Sequence, residues 1–413
     1  MTEPVRIAYL TDVEGQWKKL AEFAERNPLV TLEEDRLIVA VGAAFVFGGD
    51  AIDRGGESRR IVDTLVDAKR RQPDQVFLLA GNRDLNKMRL GRELTSHPPA
   101  RAPAEVASGP RPLLLRWIFA NSMNAPRAFD LRRDELGAHG AIVTDEDVVA
   151  SFLADVSPEG ALSKYLASCQ LAWRHGETLF VHGAVTEESL GHVPGAPRID
   201  DVDEWIASLN AWCDAQIAGY REGRMSDDGV PAWAPLLAYQ GPVRGTRLNQ
   251  ASVVYGRYTD DDGNPWAPSR RAIDRLARAG VRRIVAGHTP TGDTPAVLRA
   301  HGFELVLADD SYSRLEVGTK VTVDGARLAI DGRAKLDDGT CEDVRIDVSL
   351  DDDVAPLAMR DRETMHLVKG RLDGGGYLLF KGLPRYAFEQ QRASADELRA
   401  RPLTAPIRGD ASG

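Results

Sequence analysis

Cysteine is nearly missing from this 413-residue chain. The three present, Cys169, Cys213 and Cys341, lie far apart and include no CxxC pair. That excludes a disulfide framework and fits a reducing compartment. A basic surplus is missing as well: 52 Lys and Arg face 62 Asp and Glu, for a formal net charge of −10. A general nucleic-acid binder needs a basic surface, so that class is excluded. A small phosphorylated substrate is not excluded, because a local positive pocket can sit on an acidic protein. No apolar run approaches the roughly 20 residues of a membrane span. Residues 1–6 are polar and lead straight into a strand, without a basic and then apolar leader, so the expected compartment is the cytoplasm. With 43% hydrophobic and 28% charged residues, the chain has the makeup of a soluble globular protein. Its length predicts one large domain with insertions, or two domains.

What the chain does have is a series of short apolar, β-prone runs, each followed by a polar cluster. The run at 6–10 precedes Thr11-Asp12-Val13-Glu14-Gly15. The run at 44–47 precedes Gly49-Asp50-Ala51-Ile52-Asp53-Arg54-Gly55, and the run at 75–80 precedes Gly81-Asn82-Arg83-Asp84. The runs at 178–181 and 283–286 precede His182-Gly183 and Gly287-His288-Thr289-Pro290. Helical spacing appears at 16–26, 57–71 and 269–279. The alternation predicts an α/β protein with parallel strands and helical crossovers. Ligand sites in such sheets lie beyond the carboxyl ends of the strands, which is where the polar clusters fall.

Asp, Glu, Asn and His are ligands for hard and borderline divalent cations. A two-metal phosphoester site needs one carboxylate shared by both ions and further groups for each. Asp50 is the candidate bridge. Asp12 and Glu14, two residues apart, are placed to reach one ion across a turn at Gly15. Asn82, His182 and His288 are the candidates for the other ion, and Arg54 is placed to grip phosphoryl oxygens. Taken alone, the Asp12–Glu14 pair is also an ordinary acidic turn, and each histidine is also a plausible core residue.

Together the clusters resemble the phosphoprotein phosphatase branch of the calcineurin-like metallophosphoesterases. Residues 49–55 match the GDxVDRG signature. Asp12-Val13-Glu14-Gly15 stands where the family has DxHG, and Gly81-Asn82-Arg83-Asp84 where it has GNHE or GNHD. Residues 179–183 resemble FVHGG, and 287–290 match GHTP. The resemblance spans roughly residues 5–315. It implies a β-sandwich flanked by helices, two divalent ions and attack by a metal-activated hydroxide. By matching position, Asp12, Glu14 and Asp50 would hold one ion, and Asp50, Asn82, His182 and His288 the other. Asp53, Arg83 and Asp84 fall in the catalytic positions. Arg54 would bind phosphate together with Arg257, in a segment resembling WxR, with Arg244 as the reserve. The expected activity is a phosphomonoesterase. The alternatives are a nucleotide pyrophosphohydrolase or phosphodiesterase, and a catalytically weak module that binds a phosphorylated ligand.

Two departures matter. Glu14 replaces a histidine ligand, and its harder oxygen favours Mn²⁺, Mg²⁺ or Fe over Zn²⁺. Arg83 replaces the histidine that protonates the leaving oxygen. Arginine stays charged and is no general acid, although it can stabilise a departing anion. The site therefore favours leaving groups that need little protonation, or borrows an acid such as His97 or His139 from an insertion at 85–176. That insertion reads as a cap, helical around 113–124 and 145–174. Residues 225–268 read as loops, 321–400 as a β-rich extension with Asp-Gly hairpin turns at 324, 331 and 338, and 401–413 as a disordered tail. Asn86, Lys87 and Arg89 read as a solvated helix face rather than a substrate channel. His175 reads as structural, and Asp309-Asp310 reads equally as a turn or a substrate-facing pair.

Overall fold

Arg6–Leu10 is a buried strand, and its period-2 alternation decides which layers meet. Ile7 and Tyr9 point into a core shared with Ala44, Val46, Phe180, Val285 and Val306. Ala8 and Leu10 point the other way, toward Leu20, Phe23, Ile61 and Leu65. One face thus meets a second sheet and the other meets helices. The computed structural model, which describes residues 5–138, 140–315 and 318–407, is accordingly the expected mixed α/β sandwich flanked by helices. Tyr9 stacks on Phe180 across the sandwich, with ring centroids 5.8 Å apart.

In the larger sheet Arg6–Leu10 runs parallel to Ala43–Phe47, and Ala43–Phe47 runs parallel to Val76–Leu79. In the smaller sheet Thr178–Val181, Arg283–Ala286 and Phe303–Leu307 are parallel neighbours. Leu10 pairs with Phe47 and Phe47 with Leu78, while Val181 pairs with Ala286 and Ala286 with Leu307. The strand ends are level, so the polar clusters emerge side by side. Helices Trp17–Arg26, Ser58–Arg71 and Arg270–Arg278 fall within the expected spans. The last is capped by Ser269 Oγ, which accepts from the Ala272 amide at 3.2 Å.

The insertion at 85–176 departs from expectation near its end. Helices Arg111–Ser122, Asp145–Asp155 and Ala161–Leu166 form, but Cys169–Gln170 and Ala172–His175 are strands. Tertiary pairing overrides local propensity there: Leu78 pairs with Cys169, and Trp173 stacks on Phe77 at 3.9 Å. The 225–268 stretch includes a short helix, Ala234–Tyr239. The long helix Val202–Arg221 lies outside every expected span, although Asp201 caps it by accepting from the Glu204 amide at 2.8 Å.

The β-rich C-terminal region joins the sandwich directly. Lys320–Asp324 pairs antiparallel with Arg6–Tyr9, and five longer strands from Arg327 to Ala393 extend the same sheet. Gly325 opens the two-residue turn after Asp324, and Asp338-Gly339 lies in a turn. Asp331-Gly332 instead lies inside the strand Arg327–Lys335. A Cβ at Gly332 would sit 2.8 Å from Thr294 Cγ2, so glycine serves close approach there and not a turn. Residues 401–407, expected to be disordered, follow a fixed path: Leu403–Thr404 pairs with Arg360–Asp361, and the Pro406 carbonyl accepts from Ala267 at 2.8 Å. Residues 408–413 of that expected tail lie outside the described residues. Among the described residues no helix is long and apolar enough to cross a membrane.

Lys369, on the strand Leu367–Leu372, is fully buried. Its Nζ donates to the Thr291 carbonyl and lies 4.7 Å from the Phe380 ring centroid. Burial lowers its pKa from 10.5 to about 7, with Asp293 and Asp310 opposing. Between those values the unfolded chain binds a proton that the folded chain does not, so this residue makes stability rise with pH across that window. The expected slope is about 1 kcal/mol per pH unit relative to Lys369→Met. Urea denaturation of both proteins between pH 7 and 9 checks this; parallel curves would remove the effect.

Candidate active site

The strand-end clusters of both sheets converge on one cleft of about 610 Å³. Asp12, Glu14, Asp50, Asn82 and Arg83 line it from the larger sheet, and His288 and Asp309 from the smaller. Backbone bonds tie the turns together. The amides of Asp12 and Glu14 donate to the carbonyls of Gly49 and Asp50 at 2.9 and 3.0 Å. The His288 amide donates to Asp12 Oδ2 at 3.0 Å, and the Thr11 hydroxyl donates to the same oxygen at 2.6 Å. Five of the expected site residues hold left-handed backbone angles: Asp12 (φ 51°), Glu14 (48°), Asp50 (57°), Asp53 (108°) and His288 (65°). Non-glycine residues rarely adopt this region, and such strain concentrates at functional sites. Two glycines are needed for closeness. A Cβ at Gly81 would lie 2.1 Å from Asp50 Oδ1, and one at Gly287 would lie 2.3 Å from Asp12 Oδ2.

One corner fits a metal ion. His182 Nδ1 faces the Gly48 carbonyl at 2.8 Å, which fixes the proton on Nδ1 and leaves Nε2 as an acceptor. That Nε2 lies 3.3 Å from Asn82 Oδ1 and 3.4 Å from Asp50 Oδ1. With the ring in that tautomer three acceptors face one another, those of Asp50 and His182 buried and that of half-buried Asn82 at the cleft wall, an arrangement a cation would resolve. Two donors about 2.1 Å from one ion and at right angles lie about 3 Å apart, so the spacing suits a shared ion. His288 Nε2 is buried without a hydrogen-bond partner. Ligand atoms of Asp50, His182 and His288 all lie within 4.8 Å of one another. Burial, then the positive charges of Arg257 and Arg83, hold the His288 pKa well below its usual value, so the ring is neutral as ligation requires.

The other expected corner is different. Glu14 Oε1 lies 2.6 Å from Arg83 Nε, and Glu14 Oε2 lies 3.2 Å from Arg54 Nη1. One carboxylate oxygen is held by Arg83, while the other lies beside Arg54 but is buried without a hydrogen bond, so Glu14 is already charge-compensated by two guanidinium groups. Burial pushes the Glu14 pKa up to about 7 against the pull of Arg83 and Arg54. Asp12 is also held well above the usual carboxylate range, by burial and by Asp309 and Asp50.

Several assignments need correction. Asp84, placed among the catalytic residues, does not line the cleft. Its carboxylate accepts from the amides of Asp50, Ala51 and Gly81 at 2.9, 2.9 and 3.0 Å, which makes it a buried clamp on the turns. Arg244 is exposed and does not line the cleft. His97 is exposed and bonds Ser96 at 2.8 Å, so it supplies no acid here; His139 lies outside the described residues. His175 needs no correction: it stacks on Trp173 at 5.7 Å, as a structural residue would. Lys87 is no solvated residue: it is fully buried, with Nζ 2.6 Å from Asp53 Oδ2. Its neighbours Asn86 and Arg89 do line the cleft.

Arg54 and Arg257 both reach the cleft, on an aromatic wall that sequence reasoning missed. The Arg54 guanidinium lies 4.3 Å from the Tyr312 ring centroid and donates to the Tyr312 hydroxyl. Arg257 Nη1 donates to the Tyr386 hydroxyl at 2.7 Å, and Tyr312 stacks on Tyr386 at 5.1 Å. Tyr386 arrives from the C-terminal region, and no short motif flags it. Asp309 follows the Phe303–Leu307 strand into the cleft, whereas Asp310 pairs with buried Lys19 at 2.5 Å.

The chain is similar to known proteins. The family model described as calcineurin-like phosphoesterase matches residues 5–292. Among solved structures, a cold-active protein-tyrosine phosphatase of the psychrophile Shewanella sp. is 18% identical, with 82% of this chain and 80% of that chain covered and a TM-score of 0.44. A protein serine/threonine phosphatase from Saccharomyces cerevisiae is 15% identical, with 79% and 74% covered and a TM-score of 0.38. A metallophosphoesterase from Sphaerobacter thermophilus is 12% identical, with 78% and 84% covered and a TM-score of 0.30. No curated protein matches the chain. The family match over most of the chain, together with the metal corner, places it plainly: it belongs to the calcineurin-like phosphoesterases, metal-dependent hydrolases of phosphoester bonds.

Proposed function

We propose that this enzyme is a phosphomonoesterase that uses Mn²⁺. The observation that carries the metal reading is the set of facing acceptors on Asp50, Asn82 and His182, with His288 Nε2 unpartnered beside them. This mixed oxygen and imidazole set, without thiolate, suits a borderline cation such as Mn²⁺. An ion held there would supply Lewis-acid polarisation of a phosphoryl oxygen and activation of water.

The chain's own residues do the rest. Arg54 and Arg257 grip phosphoryl oxygens, and their tyrosine contacts hold the guanidinium groups in place. Arg83 stabilises negative charge at the leaving oxygen but donates no proton. Asp53, fixed by Lys87, lies 3.9 Å from Arg83 Nη1 and orients it. A nucleotide pyrophosphohydrolase is the second reading. It is favoured by the breadth of the cleft, which continues past the metal corner to Arg89 and Arg101.

Hydrolysis of an aryl phosphate series in Mn²⁺ tests the proposal. The expected result is metal-dependent turnover that falls steeply as leaving-group pKa rises, because no acid assists departure. Equal rates on alkyl and aryl phosphates would sink the leaving-group argument. Absence of turnover with every divalent metal would sink the enzyme reading.

A further inference from the structure

We propose that this chain holds one metal ion, at Asp50, Asn82, His182 and His288, and that the Arg83 guanidinium takes the electrostatic place of a second. The inference rests on the metal-centre reading above and concerns how many ions that centre accepts.

The two departures from the family pattern touch each other. Glu14 brings one negative charge into the turn after the first strand, and Arg83 brings one positive charge into the turn that follows Val76–Leu79. Arg83 Nε stands 2.6 Å from Glu14 Oε1 and 3.5 Å from Asp50 Oδ2, and its Nη1 stands 3.9 Å from Asp53 Oδ2. The guanidinium therefore lies among the carboxylates that would otherwise share an ion. The Arg83 amide also donates to Asp50 Oδ1 at 2.9 Å, so backbone and side chain are both fixed to the bridging position. Arg54 Nη1 lies 3.2 Å from the remaining oxygen of Glu14 and compensates its charge without a hydrogen bond. On Asp12, Oδ2 already accepts from Thr11 and from the His288 amide.

The electrostatics favour the pair over an ion. The Arg83 side chain is only 11% exposed and that of Glu14 only 3%. An ion binding between Glu14 and Asp50 would have to expel the guanidinium from its buried partners. Separating one member of a buried pair is strongly unfavourable, because the remaining charge loses compensation it cannot recover from water. Arg83 instead supplies a permanent positive charge next to the phosphoryl site, with directional N–H donors and no dependence on metal supply. Glu14 Oε2 and His288 Nε2 both lack a hydrogen bond, but only the first sits in a carboxylate–guanidinium pair, so the two halves of the site are balanced by different means.

Equilibrium dialysis of the metal-stripped full chain against Mn²⁺, read by elemental analysis and by electron paramagnetic resonance, tests this without measuring activity. The expected result is one Mn²⁺ per chain with the signal of an isolated ion. The paired substitution Glu14→His with Arg83→His is expected to raise binding to two ions with a spin-coupled signal. Two ions in the unmodified chain would overturn the inference and leave the phosphatase reading standing. Binding of no ion would overturn both. A paired variant that still binds one ion would remove the role given to Glu14 and Arg83.

Discussion

Asp50→Asn lowers kcat on an aryl phosphate by on the order of 10³-fold, the scale seen when a single preorganised electrostatic contact is removed from a catalytic site. The reason is local. Asp50 Oδ1 is one of the acceptors facing His182 Nε2 at 3.4 Å, and the carboxylate also lies beside Arg83. An amide keeps the shape but removes the charge that holds both the cation and the guanidinium. Asn is the right substitution because Asp50 sits at φ 57°, and Asn is one of the few residues that tolerates the left-handed region. The fold therefore survives, and lost activity is not lost structure. Steady-state kinetics and Mn²⁺ content, with thermal unfolding as the control, check this. Activity within about tenfold of the unmodified enzyme would remove Asp50 from the centre of the site.

The other large effect is on stability. Asp53→Ala leaves Lys87 Nζ, 2.6 Å from that carboxylate, buried without its ion-pair partner. Removing one member of a buried ion pair costs about 3–5 kcal/mol. The remaining contact, donation to the Arg83 carbonyl at 3.1 Å, does not neutralise the charge. Lys87→Met is milder, because Asp53 keeps Arg83 within 3.9 Å. Combining Asp53→Ala with Lys87→Met removes both charges and recovers most of the loss, which a double-mutant cycle by urea denaturation measures. A cost below about 1 kcal/mol for Asp53→Ala would mean that the buried ammonium finds other compensation.

Much of the molecule is legible in residue order because parallel strands put their ends in one place. Each apolar run is a strand that points its next residues into the same edge, so residue order alone groups Asp12, Asp50, Asn82, His182 and His288. The C-terminal hairpins at 324 and 338 are legible from Asp-Gly turns. Asp331-Gly332 misleads, because glycine there serves a close approach to Thr294 and not a turn. The cap's end misleads in the same way: Cys169–Gln170 and Ala172–His175 become strands only because Leu78 and Phe77 are there to pair and stack.

The ligand types and their order are set locally, by which residue follows which strand. Charge pairing is not, because a charged side chain takes its partner from whatever folding brings within a few ångströms. Sequence names Glu14 and Arg83 as odd members, but not that they lie 2.6 Å apart and answer each other. Nor does it tell that Lys87 turns inward to Asp53, that Asp84 clamps backbone amides, or that Tyr386 comes from far along the chain to hold Arg257. The strand-end pattern therefore determined which residues meet. The tertiary structure decided which of them are left free for a metal ion and which are already neutralised by an arginine.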